Sequence, residues 1–95
     1  MLNQVAVITG SSRGIGAATA RLMAAKGYSI VLNYQNSAGP AEALKQEISA
    51  MGVPCIAVQA DVSEEDQVEA LFSQADALGP LAVLVNNADI LAQQT

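Results

Sequence analysis

The stretch Val5-Ala6-Val7-Ile8-Thr9-Gly10-Ser11-Ser12-Arg13-Gly14-Ile15-Gly16 decides the fold of this 95-residue chain. An apolar run leads directly into three closely spaced glycines, and a helical pattern opens with them. Because glycine has no Cβ, it lets the backbone turn with a positive φ and approach a bound anion closely. The free N–H groups of the first helical turn then face that anion. The order of strand, glycine turn and helix therefore predicts a phosphate-binding loop between Gly10 and Gly16.

The rest of the chain repeats the unit of strand, helix and glycine stop. Short runs rich in Val, Ile and Leu predict strands at residues 5–9, 29–34, 55–60 and 81–86. Apolar residues three and four apart predict helices marked between residues 15–25, 41–51 and 68–78. Gly27, Gly52 and Gly79 follow these helices, where a left-handed residue commonly ends a helix. Ser63, with Asp66 three residues later, resembles a helix N-cap.

Strand, helix and strand units with short connections form right-handed crossovers and a parallel sheet. Four strands and three helices in this order predict one partial α/β domain over residues 1–95. Its fold class is a Rossmann-type parallel sheet with strand order 3-2-1-4, the first half of a doubly wound fold. The ligand crevice should lie at the carboxyl ends of the first and fourth strands. The glycine loop follows the first and Asn86-Asn87-Ala88 the fourth, so two features converge on one place.

Composition excludes several classes of protein. No apolar run approaches the ~18 residues that span a bilayer, and the N-terminus lacks a signal-peptide pattern, so we expect a cytoplasmic protein without a membrane partner. A single cysteine and no histidine exclude an internal disulfide and argue against a metal site. Cys55 is interpreted as a buried strand residue.

The net charge of −5 is unevenly distributed. Residues 1–41 carry +3, and residues 42–95 carry −8. The glycine loop lies in the positive part, which favours an anionic ligand, and the basic excess is too small for a nucleic-acid surface. The alternative for the acids is that they only keep helix faces soluble, and this interpretation is preferred for Glu64, Glu65, Asp66 and Glu69.

Three motifs together resemble those of one family. The spacing Gly-x-x-x-Gly-x-Gly, Asp61-Val62 after the third strand and Asn86-Asn87-Ala88 after the fourth resemble the classical short-chain dehydrogenase/reductase family over nearly the whole chain. The resemblance implies a nicotinamide cofactor along the strand ends, and carbonyl or alcohol hydride transfer in a complete relative. The implied cofactor-binding residues are Gly10, Ser12, Arg13, Gly14, Ile15 and Gly16 in the loop, Asp61 and Val62 near the adenine, and Asn87 and Ala88 near the riboses.

Several residues of these motifs also have an interpretation in which they serve only the fold. Gly14 and Gly16 would serve close packing of helix on strand. Asp61 would close a strand ahead of the Ser63 cap. Asn86 is expected to be structural, tying strand ends together, whereas Asn87 is the better candidate for a cofactor contact.

The end of the second strand indicates which cofactor is preferred. An NAD site usually has an acid there, about 20 residues beyond the glycine loop, to bind the ribose 2′-hydroxyl. This region has no acid before Glu42, while Asn33, Tyr34, Asn36 and Ser37 offer neutral donors and Arg13 lies in the loop. The sequence therefore favours NADP(H), with NAD(H) possible.

Two departures from the family pattern bear on function. Asp89 stands where the family usually has glycine after Asn-Asn-Ala, which puts a carboxylate near the phosphates. The Ser and Tyr-x-x-x-Lys residues of the family are missing, because Tyr28 is followed four residues later by Leu32 and Tyr34 by Ala38. We therefore assign no catalytic residue.

Two functional hypotheses follow. In the first, the chain is the amino-terminal, cofactor-binding part of a short-chain oxidoreductase, without its later catalytic half and catalytically incompetent alone. In the alternative, it is a stand-alone nucleotide-binding or chain-pairing module without catalysis. The fourth strand would be an apolar edge with unpaired backbone groups, so self-association or a partner chain along it is expected.

Overall fold

A computed structural model describes residues 4–11 and 14–87 of the chain. Within these residues four strands alternate with three helices, as the sequence predicts. The elements in chain order are β1 (Val5–Ile8), α1 (Gly14–Ala25), β2 (Ser29–Tyr34), α2 (Ala38–Ser49), β3 (Cys55–Gln59), α3 (Glu65–Leu78) and β4 (Leu81–Val85). The predicted strand limits are correct to within one residue.

The strands form a parallel sheet with the order β3-β2-β1-β4, which confirms the predicted topology. Val5 pairs with Ser29 and Ile8 with Leu32 in the register of β1 on β2. The chain first builds outward through β2 and β3 and then returns to the other side of β1. The switch point of the strand order thus lies between β1 and β4, and the ligand crevice of such a sheet is expected outside the carboxyl ends of these two strands.

Helices cover both faces of the sheet. On one face Ile8 and Leu32 pack in a cluster with small residues of α1 and with apolar residues of α2. On the other face Val7 and Val31 pack with Leu71 of α3. Because both faces are covered, β1 is apolar at every position rather than alternating. Burying each large aliphatic side chain stabilises the fold by roughly 1.5–3 kcal/mol.

β4 is the edge of the described sheet and is the most exposed strand. It pairs with β1 on one side, with a register shift between Val5 and Ala6. Leu81 is 43% exposed and Leu84 is 48% exposed. The apolar edge that the sequence predicts is therefore present.

The helix ends agree with the sequence in part. Gly27 and Gly52 have φ values of +98° and +99°, so they end α1 and α2 as left-handed residues, as predicted. The predicted Ser63 cap is wrong: Glu64 is the N-cap of α3, no side chain caps it, and the Ser63 hydroxyl donates instead to Asp61. No helix in the described ranges is long and apolar enough to cross a bilayer.

Candidate cofactor site

The glycine loop after β1 needs glycine for its backbone conformation at two positions. Gly10 has a φ of +59° and Gly14 a φ of +68°. Both values lie in the left-handed region of backbone conformation, which residues with a side chain rarely adopt. No atom lies within 4 Å of a Cβ built on Gly14, so space is not the constraint there. Both glycines therefore have the backbone conformation that a tight turn between β1 and α1 requires.

Gly16 is needed for a different reason, which is close packing. A Cβ at this position would collide with the carbonyl oxygen of Gly10, and it would lie 2.8 Å from the Cα of Ser11 and 2.9 Å from Nδ2 of Asn87. The first turn of α1 therefore rests directly on the loop. The packing interpretation accounts for this glycine, whereas its contact with a phosphate stays a prediction.

Hydrogen bonds join the glycine loop to the end of β4. The Thr9 N–H donates to the carbonyl oxygen of Val85 at 3.0 Å, and the Thr9 hydroxyl is 3.2 Å from Oδ1 of Asn86. The side-chain amide of Asn87 donates to the carbonyl oxygen of Gly10 at 3.2 Å. Asn86 thus ties strand ends together, in agreement with its structural interpretation. Nδ2 of Asn87 thus already makes a hydrogen bond within the protein.

A second set of hydrogen bonds joins the loop to the end of β2. The Ser11 N–H and hydroxyl both donate to the carbonyl oxygen of Asn33, at 3.0 and 3.1 Å. The Gly10 N–H donates to Oδ1 of Asn33 at 3.3 Å. Asn33 is 2% exposed, so its side chain lies inside the protein rather than at the crevice surface. Tyr34, the next residue, is half-buried.

Sequence reasoning missed this internal role of Asn33. A signal was present, because Asn33 is an amide in the otherwise apolar strand Ile30-Val31-Leu32. A polar side chain in a buried strand must find hydrogen-bond partners inside the protein. The partners themselves depend on the register of three strands, which the sequence does not display.

Asp61, after β3, is held in a fixed orientation. The Ser63 N–H and hydroxyl donate to Oδ1 of Asp61 at 3.0 and 2.6 Å. These hydrogen bonds, first from the hydroxyl and then from the backbone, lower the pKa of the Asp61 carboxyl below its ordinary value. The Asp61 N–H donates to Oε1 of Gln67 at 2.7 Å, a contact that the sequence analysis did not anticipate. Asp61 is therefore an oriented anion.

An open, mainly apolar pocket lies where β1 and β4 end, beside α3. Its volume is about 180 Å³. Val62 lines it together with four apolar side chains of α3 and β4, and Thr9 and Asn86 are its polar members. Val62 thus lies among apolar side chains, and its contact with an adenine ring stays a prediction. The pocket thus brings Val62 together with Thr9, which follows β1, and Asn86, which follows β4.

Several predicted site residues are not described or lie elsewhere. Ser12, Arg13, Ala88 and Asp89 lie outside the described residues. Ile15 is exposed at the start of α1. Cys55 is buried, as predicted, and desolvation raises the pKa of its thiol to about 12. Among residues 4–11 and 14–87, no group of acidic, histidine or cysteine side chains is arranged to hold a metal ion.

The sheet order, the glycine turn after β1 and the crevice at the switch point define a Rossmann-type dinucleotide-binding fold. Residues 4–95 match the family model described as short chain dehydrogenase. The chain belongs to the short-chain dehydrogenase family.

Curated relatives share close to half of their matched residues with this chain. An oxidoreductase of Escherichia coli strain K12, YgfF, whose activity is uncharacterized, is 46% identical over 91 residues. A 3-oxoacyl-(acyl-carrier-protein) reductase of Staphylococcus aureus is 43% identical over 90 residues. The matches cover 95% and 94% of this chain but 37% of each relative. The chain therefore spans little more than a third of the length of these relatives.

Solved structures give the same result for the fold. A blue fluorescent protein from a metagenomic library, crystallised with NADPH, is similar with a TM-score of 0.85 and 46% identity. A short chain dehydrogenase from Burkholderia cenocepacia J2315, in complex with NADP, is similar with a TM-score of 0.83 and 42% identity. Both matches cover 90% of this chain, and they cover 36% and 35% of the respective structures.

Proposed function

We propose that this chain binds a nicotinamide dinucleotide at the carboxyl ends of β1 and β4, as the cofactor-binding portion of a short-chain oxidoreductase. The observation that carries the proposal is the glycine loop. Gly10 and Gly14 have positive φ values, and hydrogen bonds to Asn33 and Asn87 hold the loop at the switch point. These contacts fix Gly10 and Ser11 without a ligand, which reduces the entropy that binding must offset at these two residues.

The residues present fit such a cofactor. The first turn of α1 carries no acidic side chain, so its N–H groups and the positive end of its dipole would face a pyrophosphate. A Cβ at Gly16 would push against the loop where the backbone must approach the phosphates. Val62 would pack on the adenine ring, and the Asp61 carboxylate would accept a hydrogen bond from its amino group. A bound nicotinamide ring supplies hydride chemistry, and the protein supplies binding and orientation.

We propose that NADP(H) is preferred over NAD(H). The segment after β2, Gln35-Asn36-Ser37, has no acid that would repel a 2′-phosphate. Relatives crystallised with NADPH and NADP support this preference. Arg13, Tyr34, Asn36 and Ser37 are the proposed partners of the phosphate.

Catalysis is not proposed for this chain alone, which we treat as one partial domain over residues 1–95. No Tyr-x-x-x-Lys pair is present, and the chain has no histidine that would replace the tyrosine as a general acid. Transfer of a hydride between a carbonyl or alcohol substrate and the cofactor is proposed for the complete proteins of the family. A cytoplasmic location stays a prediction from the sequence.

The alternative function, chain pairing, is favoured by one observation. The exposed leucines of β4 make an apolar strand edge, and such edges invite pairing with another strand. We propose that the chain associates with a second copy along β4. Cofactor binding and pairing are compatible, since the glycine loop lies at the end of the strands rather than along their edge.

Calorimetric titration of the 95-residue chain with NADP⁺ and with NAD⁺ tests the proposed function. The expected result is saturable binding of both, with the smaller dissociation constant for NADP⁺. Circular dichroism of the same sample reports whether the chain is folded. A folded chain that binds neither nucleotide would overturn the proposal, and tighter binding of NAD⁺ would overturn the preference.

A further inference from the structure

The side chain of Asn33 lies between two parts of the candidate site. Its position is near the end of β2, and β2 lies between β1 and β3 in the sheet. Because neighbouring strands are roughly 4.8 Å apart, β1 and β3 are too distant for direct hydrogen bonds. A side chain on β2 is next to both strands and can therefore reach both strand ends at once.

The Asn33 side-chain amide makes hydrogen bonds to the ends of both neighbouring strands. Oδ1 accepts from the Gly10 N–H at 3.3 Å, on the side of β1. Nδ2 donates to the carbonyl oxygen of Ala60 at 3.0 Å and to that of Val58 at 3.4 Å, on the side of β3. The Asn33 carbonyl oxygen accepts from Ser11 as well. One buried residue thus joins the glycine loop to the residue that immediately precedes Asp61.

We propose that Asn33 is a positioning residue that fixes the distance between the glycine loop and the end of β3. The proposal rests on the proposed function, in which the loop binds the pyrophosphate and Asp61-Val62 bind the adenine. Asn33 acts through Gly10 and Ala60, and it does not bind the 2′-phosphate. It therefore supports the affinity for NADP⁺ and NAD⁺ equally.

An amide is required for this role because it both accepts and donates. A carboxylate of the same shape would still accept from Gly10 but offers no donor. It would place a negative charge against the carbonyl oxygens of Val58 and Ala60, an arrangement that is strongly unfavourable at a buried position. Asn33→Asp therefore removes the link to β3 with the smallest possible change in shape.

The competing role for Asn33 is direct contact with the 2′-phosphate. Loss of such a contact would weaken NADP⁺ binding alone and change the ratio of the two dissociation constants. Loss of a positioning residue would weaken both nucleotides by the same factor and leave the ratio unchanged. The ratio therefore separates the two roles.

The test compares Asn33→Asp with the matched variant Asn36→Asp, which makes the same amide-to-carboxylate change at an exposed residue three positions later. Each variant is titrated with NADP⁺ and NAD⁺, and amide hydrogen exchange is measured by NMR. For Asn33→Asp we expect both dissociation constants to rise about tenfold or more, as for loss of a buried hydrogen bond. The ratio is measured in an uncharged variant, because the new carboxylate would itself repel a 2′-phosphate. Exchange at Asp61, beside the lost link to Ala60, should accelerate more than exchange at Val7, while the Gly10 N–H keeps its acceptor. For Asn36→Asp we expect weaker binding of NADP⁺ and a changed ratio.

An uncharged variant supplies the nucleotide ratio and covers the case in which Asn33→Asp does not fold. Asn33→Ala removes both the acceptor of the Gly10 N–H and the donor to the Ala60 carbonyl oxygen, and it adds no charge. It should raise both dissociation constants by one common factor and accelerate exchange at Gly10. A changed nucleotide ratio in Asn33→Ala, unchanged exchange at Gly10 in that variant, or unchanged exchange at Asp61 in Asn33→Asp would overturn the proposal. If the unmodified chain binds no nucleotide, the proposed function fails, and the exchange rates still decide whether Asn33 holds the loop.

Discussion

The side-chain amide of Asn87 donates to the carbonyl oxygen of Gly10, a residue 77 positions earlier in the chain, at 3.2 Å. This bond joins the segment after β4 to the glycine loop after β1. The same Nδ2 atom would lie 2.9 Å from a Cβ at Gly16. The strand end, the loop and the first turn of α1 therefore meet at one crowded point, where a small change in volume affects all three.

Gly16→Ala should destabilise the protein. Its Cβ would meet the backbone of Gly10 and Ser11, which cannot move aside as a flexible side chain would. Overpacking of this kind costs about 1–3 kcal/mol, measurable as a lower urea midpoint. The matched control is Gly39→Ala in α2, where no atom lies within 4 Å, and it should leave the midpoint unchanged or raise it. Equal effects of the two substitutions would contradict the packing role of Gly16.

Gly14 should show a preference set by backbone conformation rather than by space. Its φ is +68°, and asparagine adopts this region more readily than alanine does. We expect the free energy of unfolding to decrease in the order glycine, asparagine, alanine, with about 1 kcal/mol between glycine and alanine. Urea denaturation of the three proteins measures the order. An alanine variant as stable as the asparagine variant would show that φ does not limit this position.

Asp61 should make stability depend on pH in the acidic range. Its pKa in the folded protein is lowered from 3.8, so the folded state binds the proton less readily than the unfolded state does. The resulting stabilisation is present above the unfolded pKa and is lost as pH falls through the folded pKa. Ser63→Ala, which removes the shorter hydrogen bond, should raise the pKa of Asp61 toward 3.8. NMR titration of the carboxyl carbon measures this shift, and an unchanged pKa would exclude Ser63 as its cause.

Leu84→Lys should reduce self-association along β4. A lysine on a strand edge opposes pairing with another strand. The control is Leu22→Lys in α1, because Leu22 is also exposed, at 58%, but lies away from the edge. Light scattering after gel filtration should give a lower mass for Leu84→Lys and an unchanged mass for Leu22→Lys. A monomeric unmodified chain, or the same effect from both variants, would contradict pairing through β4.

The sequence predicts the strands and their order well because local patterns determine them. Short apolar runs mark β1 and β2, and left-handed glycines mark the helix ends. It predicts the start of α2 three residues late, since Ala38 and Gly39 precede the first residue of the apolar pattern, Ala41. Pro40 is compatible with this start, because a first helical turn does not need its N–H.

The sequence is less informative about the site, because the contacts there connect distant residues. Ser63 fits a capping pattern, yet its hydroxyl bonds to Asp61, which lies two residues earlier and offers a carboxylate. Asn33 fits the pattern of a cofactor donor, but the register of β1 and β3 surrounds it with buried backbone partners. The glycine loop was predictable as a unit because its spacing reflects local backbone geometry.

The most direct measurement is an NMR titration of the ¹⁵N-labelled chain with NADP⁺. Cofactor binding at the glycine loop predicts saturable shifts of the amides of Gly10, Ser11 and Gly14–Gly16, with smaller changes at Asn87 and Val62. The amides in the middle of α2 should not shift, since α2 covers the sheet away from the crevice. A well-dispersed spectrum without saturable shifts at the loop amides would contradict the assignment of this loop as the cofactor site.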